Sequence, residues 1–305
     1  MIEMFLPQNT ISEPPIPVIG GVYKQLASAV TPRSSHSVVA IDGKIYAFGG
    51  SYGALNSTME VYDIETNTWA PVVAQGMPSP RHGCACCVLN GKFYIFGGST
   101  GNGWGPMSQE VYVFDPATVA WTKLANTPNA VALHTAVPIK GKIYIFAGFN
   151  GGAPVNDLYE YDPVANTYRT IANSQPVQHG HKAVAIGDRM FVVGGVSSST
   201  LLNRCVAYDP VNNTWQHYAA SPVGNTYTFV GALGNYIYMF GGSLNNITTT
   251  NNRLFKFSLE TNSWAELPSG ASPAYLGWMA VSDKALYLHG GYNNTAVLAE
   301  LWEVK

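Results

Sequence analysis

The chain has 305 residues, of which 47% are hydrophobic, 12% aromatic and only 11% charged, with a formal net charge of −2 at pH 7. That balance supplies no basic face for nucleic acid and no polybasic stretch for an anionic membrane. No run approaches the roughly 20 apolar residues of a membrane-spanning helix, and residues 1–7 lack the basic start of a secretory signal. The expectation is a chain that stays in the cytoplasm or travels as part of an assembled particle.

Residues 1–20 carry Pro7, Pro14, Pro15 and Pro17 and read as an extended arm. Such an arm is either a leader without fixed structure or a tether to a neighbouring subunit, for which Met4, Phe5 and Leu6 offer apolar anchors. From residue 21 a repeat takes over. Its clearest copy is Gly43-Lys44-Ile45-Tyr46-Ala47-Phe48-Gly49-Gly50, and five variants follow. The second glycines fall at 50, 98, 148, 195, 242 and 291, giving steps of 48, 50, 47, 47 and 49 residues. Six units of that size indicate one repeat architecture spanning 21–305 rather than several independent domains.

Within the first full unit, residues 36–41 are a run of β-formers, and Asp42-Gly43 has the chemistry of a hairpin turn. Residues 44–48 form a second strand ending at the glycine pair, and residues 59–62 a third. The turn Asp63-Ile64-Glu65-Thr66-Asn67 then leads into Trp69 and a fourth strand. That turn recurs at Asp115, Asp162, Asp209 and Ser258, each followed by an aromatic: Trp121, Tyr168, Trp215 and Trp264. One large flat side chain per unit suits the wedge between adjacent sheets, with its polar atom reaching a neighbour. No window shows a helical period, so the fold class is all-β.

The ends are out of phase. Tyr23-Lys24-Gln25-Leu26 matches a fourth strand that precedes any first strand, whereas residues 300–304 form a third strand with nothing after it. Pairing the N-terminal strand with three C-terminal ones closes a ring without an open sheet edge.

A hydrophobic strand ending in two glycines, a Tyr-Asp pair and a Trp six residues later together resemble the Kelch repeat, over nearly the whole of 21–305. Ala147 replaces a first glycine, Tyr168 a tryptophan, and Phe257-Ser258 a Tyr-Asp pair, without putting a unit in doubt. The resemblance implies a six-bladed β-propeller with four antiparallel strands per blade, an architecture that hosts enzymes, adaptors and scaffolds alike.

In Kelch propellers that act as adaptors, ligands dock on a face made by two loop sets. Carried onto this chain, the loops after the double glycine offer Tyr52, Trp104, Phe149 and Tyr292, with Ser51, Ser99, Asn102, Asn150, Ser197, Ser243, Asn245 and Asn293. The loops before the first strands offer Arg81, His82, His179, Tyr227 and Tyr275, with Ser34, Ser35 and Asn225. Such a mouth is aromatic and amide-rich, which suits glycans or polar peptides better than phosphates. Two loops are long, residues 99–109 with Trp104 and residues 243–252. No strand pattern demands Trp104, so it reads as a lid over the pore or a contact anchor.

The four cysteines (Cys84, Cys86, Cys87, Cys205) form no disulfide framework, since three lie within four residues of one strand. A reducing compartment fits that usage. His36, His134 and His181 share one position in the repeat, but no carboxylate accompanies them, so structural histidines are preferred to a metal site. His82, Cys84 and Cys86 alternate along one strand and read as buried side chains rather than a soft-metal site. No cofactor fingerprint is present, and the copper ligands of galactose-oxidase-type propellers have no counterpart.

The expected function is therefore a non-catalytic binding or scaffold propeller for a protein or glycan. The low charge, the Asn/Thr-rich loops and the arm also fit a virion or surface component. The alternative is a sugar-modifying enzyme resembling the Kelch-type sialic acid mutarotases, with Arg81, His82 and His179 as acid–base candidates and Glu60 or Glu110 as the carboxylate. An adaptor role is weakened by the lack of an accompanying oligomerisation module.

Overall fold

The computed structural model describes residues 17–244 and 249–305. They form six four-stranded antiparallel sheets, the blades of a propeller, and two small two-stranded hairpins on the loops. The innermost strands are Ser37–Ile41, Ala85–Leu89, Thr135–Ile139, Lys182–Ile186, Phe229–Leu233 and Trp278–Val281, numbered here as blades 1 to 6. Each touches its two neighbours, so the ring closes around a central channel. Tyr23 pairs with Val304, Lys24 with Glu303 and Gln25 with Trp302, which puts the N-terminal strand on the outside of blade 6. The ring is closed as the offset ends predict.

Of the arm expected over residues 1–20, residues 1–16 lie outside the described residues. Ile19 is buried in the wedge between blades 5 and 6, and its N–H donates to the Tyr238 hydroxyl at 3.1 Å.

There is no central core. Apolar burial is divided among six clusters of buried residues, one in each wedge between adjacent blades. Each wedge contains the aromatic that the repeat places after its turn, from Trp69 between blades 6 and 1 to Tyr23 between blades 5 and 6. Three of these aromatics reach the neighbouring blade through hydrogen bonds. Trp69 Nε1 donates to Ala27 O at 2.8 Å, Tyr168 Oη to Ala125 O at 3.1 Å and Trp264 Nε1 to Ala219 O at 2.8 Å. The asparagine of the same turn accepts the N–H of that same alanine: Asn67 from Ala27, Asn166 from Ala125 and Asn262 from Ala219, each at 2.9 Å. The turn chemistry therefore does two jobs, reversing the chain and sealing the wedge. Trp121 and Trp215 depart from this pattern, since their Nε1 atoms are buried without a partner among the described residues.

The double glycine has a steric cause. A Cβ on the first glycine would meet a backbone carbonyl of the next blade, 2.7 Å away for Gly49 (Arg81 O) and 2.5 Å for Gly97 (Val131 O). A Cβ on the second would strike the start of its own innermost strand, 2.7 Å from His36 Cβ for Gly50 and 2.8 Å from His134 Cβ for Gly148. Both positions also take positive φ. Ala147 sits at the first position with φ 57°, where the ladder of blade 3 shifts register between Phe146 and Gly148.

Candidate functional site

One bridge per blade joins the loop before the first strand to the loop after the second: Ser34 with Ser51, His82 with Ser99, Ala132 with Phe149, His179 with Val196, Thr226 with Ser243 and Tyr275 with Tyr292. The two loop sets therefore open on one face. Inside them runs a closed circle of backbone hydrogen bonds. Gly83 donates to Ser35, Leu133 to Gly83, Gly180 to Leu133, Tyr227 to Gly180, Leu276 to Tyr227 and Ser35 to Leu276, over 2.6 to 3.1 Å. All six residues have φ between 52° and 65°, a left-handed conformation unusual for the four that are not glycine. The circle pins the blades together and narrows the channel at this end.

Aromatic rings line the face outside the circle. Phe149 lies 5.4 Å from His179, His179 6.2 Å from Tyr227, Tyr227 6.5 Å from Tyr275 and Tyr275 5.7 Å from Tyr292, ring centre to ring centre. The run crosses blades 3 to 6. On the adjoining blade 2, Trp104 packs on His82 at 4.5 Å and covers Gly83, where a Cβ would lie 2.8 Å from the indole. The loop that carries Trp104 is folded: Ser99 Oγ donates to Gly103 O at 2.9 Å and accepts from Gly105 N–H at 3.1 Å, and His82 Nε2 lies 2.8 Å from Gly103 O. Trp104 remains 36% exposed and Tyr52, on blade 1, 59% exposed. His179, Phe149, Tyr227 and Tyr292 are half-buried, whereas His82 and Tyr275 are buried behind their neighbours. Of residues 243–252, residues 245–248 lie outside the described ones.

Arg81 is placed differently from the rest. Its guanidinium is buried and donates to Ser79 Oγ at 2.8 Å, Gly97 O at 3.3 Å and the Glu110 carboxylate at 2.6 Å, so it presents no charge to the mouth. Lys123 and Arg81 together hold the Glu110 carboxyl down to about 2. Glu60 is likewise occupied, 3.4 Å from Arg33 and accepting from Thr31 at 2.9 Å. Burial keeps His82 and His179 below the ordinary imidazole range and pushes Tyr227 up to about 12. The mouth is consequently neutral at physiological pH.

The histidines at the head of the innermost strands pack into the wedges. His36 Nε2 lies 2.7 Å from His289 Nδ1, and His181 packs its ring on Phe146 at 5.3 Å. Among the described residues no group of three or more His, Cys, Asp or Glu side chains is placed to hold a metal ion. All four cysteines are free and buried, with burial pushing Cys84 to about 11 and Cys86 to about 12. Among the described residues no helix is long and apolar enough to cross a membrane.

The backbone circle and the channel lysine, Lys182, were absent from the sequence reading. The six circle residues share a conformation and no side-chain type, so no motif marks them. Lys182 had a signal: it heads an innermost strand where the other blades place Ser37, Ala85, Thr135, Phe229 and Trp278.

Comparison with known proteins agrees with this architecture. The KLHDC2/KLHL20/DRC7 Kelch-repeats domain matches residues 35–226 and the Kelch motif residues 226–270. The chain belongs to the Kelch-repeat family of β-propellers. It is 27% identical to beta-scruin of Limulus polyphemus over 132 residues, 41% of this chain and 14% of that protein. It is 36% identical to leucine-zipper-like transcriptional regulator 1 of Pongo abelii over 135 residues, 41% of this chain and 16% of that protein. A third relative, N-(sulfonatooxy)prop-2-enimidothioate sulfolyase of Thlaspi arvense, is 26% identical over 129 residues, 40% of this chain and 37% of that protein. The match thus spans well under two thirds of each relative's length.

Proposed function

We propose that this chain is a non-catalytic binding and scaffold propeller whose loop face takes a protein or glycan ligand. The observation that carries this reading is the aromatic run Phe149, His179, Tyr227, Tyr275 and Tyr292, with Trp104 on the adjoining blade 2. Flat rings with phenolic and amide groups at their edges bind neutral polar surfaces by stacking and hydrogen bonding. Tyr52 extends the patch onto blade 1. The relatives include one named as a transcriptional regulator and one named as a sulfolyase, so membership of the family fits binding without requiring it.

The enzyme alternative needs an acid and a base facing one pocket. Glu60 and Glu110 instead neutralise buried arginines, and His82 is tied to the Gly103 carbonyl. A place in a virion or surface assembly, with residues 1–20 reaching a neighbouring subunit, belongs to the same binding proposal. It is read out separately, as the mass of the particle with and without those residues.

The test compares wild type with Trp104→Ala and Tyr292→Ala on a glycan array and in binding to the proteins captured by wild type. The expected result is a loss of roughly 30-fold in affinity for either variant, the size of an interface hot spot, with a cooperative melt retained. Identical binding profiles for all three proteins would remove the loop face from the proposal. Acceleration of anomer exchange of N-acetylneuraminic acid, followed by NMR, would replace it with the enzyme reading.

A further inference from the structure

Below the backbone circle the innermost strands enclose a cavity of about 310 Å³, with apolar walls that include Val38, Ala40, Val137, Val184, Val230 and Met279. Lys182 and Trp278 stand between this cavity and a smaller one of about 30 Å³ directly under the circle. The Lys182 ammonium sits 3.3 Å from the centre of the Trp278 ring. Among the described residues no carboxylate or other acceptor bonds to it. The remaining groups that face it are Cys86, His36, His134 and His181. None supplies a negative charge, because burial holds the thiol protonated and the imidazoles neutral.

The contrast with the other deep cations is informative. The chain gives the fully buried Arg33 and Arg81 the carboxylates of Glu60 and Glu110, and the half-buried Arg204 the Gln175 Oε1 at 3.2 Å. For Lys182 it provides an aromatic face and an apolar chamber. An ammonium in such surroundings is stabilised by an anion brought from outside, and the walls select one with an aliphatic tail.

We propose that the central channel binds a small aliphatic carboxylate, its carboxylate on the Lys182 ammonium and its chain along the apolar walls. The cavity volume corresponds to about ten non-hydrogen atoms at the share of volume a water takes in the liquid. Burial draws Lys182 down to about 7, and a bound carboxylate raises it again by favouring the charged amine.

Octanoate, acetate and 1-octanol are the probes, titrated calorimetrically into the full chain. Octanoate should bind, with affinity rising from acetate by ~4-fold per methylene and falling to at least tenfold weaker for 1-octanol. Octanoate binds the protonated amine, so its affinity should drop about tenfold per pH unit above 7. In Lys182→Met octanoate and 1-octanol should bind alike. No octanoate binding, equal binding of octanoate and 1-octanol to wild type, or an octanoate affinity untouched by Lys182→Met would overturn the proposal. Should that variant fail to fold, the wild-type pH profile decides: a flat profile between pH 6 and 9 overturns it as well.

Discussion

Gly98 and Gly91 separate the two reasons a Kelch blade keeps its glycines. Gly91 lies in the turn between the first two strands of blade 2 with φ 69°, and a Cβ there would meet nothing within 4 Å. Gly91→Ala should therefore cost only the left-handed conformation, about 1 kcal/mol. Gly98 has φ 91°, and a Cβ there would lie 2.5 Å from Cys84 Sγ and 2.8 Å from His82 O. The sulfur can move a few tenths of an ångström. The carbonyl cannot, because it accepts the N–H of Ser99 at 2.8 Å. Adding about 2 kcal/mol of overpacking to the conformational term gives about 3 kcal/mol for Gly98→Ala. At about 2 °C per kcal/mol for a chain of this size, the melting temperature should fall by ~6 °C, against ~2 °C for Gly91→Ala. Cys84→Ala in the same chain should recover no more than about half of the difference, since the carbonyl remains. Equal losses for the two glycine variants in urea denaturation would refute the steric argument and leave φ alone as the reason for the pair.

The wedge tryptophans give a second test: Trp69→Phe and Trp264→Phe each delete a bond to a neighbouring blade and should lose about 1 kcal/mol more than Trp121→Phe and Trp215→Phe, whose Nε1 atoms have no partner among the described residues. Denaturant midpoints in the same buffer check this, and matched losses across all four would count against the stitch. Lys123 and Arg81 hold the Glu110 carboxyl down to about 2, below its ordinary 4.5, so its contribution is complete above 4.5 and disappears as pH falls through 2. Because the carboxylate is partly solvated, Glu110→Gln should cost about 1 kcal/mol at pH 7 and flatten the stability curve across that acid window. Melting curves from pH 2 to 7 read it directly. Deleting residues 17–26 removes Ile19 from its wedge and the strand that covers Leu301–Val304. Blade 6 then has an open edge, and loss of the cooperative melt with concentration-dependent association is the expected result; an unaltered monomeric melt would show that the seam is dispensable.

What could be read from the residues was whatever the repeat states more than once. The glycine pairs, the Asp-to-Asn turns and the wedge aromatics each recur, and where a recurrence has a structural cause it is a contact between one blade and the next, as in the three wedges that Trp69, Tyr168 and Trp264 stitch. Even the seam is a statement of phase: a fourth strand at Tyr23 and a missing one after Val304 are two halves of one blade. Loop side chains follow no such rule. Arg81 and His82 are adjacent and both precede the first strand of blade 2, yet the arginine turns inward to the Gly97 carbonyl and Glu110 while the histidine supports Trp104. Position in the repeat assigns a residue to a face, and the alternation of the backbone decides whether its side chain reaches water.

The same distinction sets the channel apart. A ring of innermost strands brings residues 47 or more positions apart to one level, so Lys182 and Trp278 meet although they lie 96 positions apart in sequence. Each looks ordinary in its own strand. Brought together in the channel from blades 4 and 6, they form a contact that no window of sequence contains. In a propeller the shared positions build the scaffold, and the departures from them are where individual function is placed. Trp104 on the rim and Lys182 in the channel are both such departures. One is proposed to meet a macromolecule and the other a small anion, and the backbone circle of Ser35, Gly83, Leu133, Gly180, Tyr227 and Leu276 lies between them. Because that circle is fixed by six main-chain bonds rather than by side chains, the two sites should tolerate substitution independently of each other.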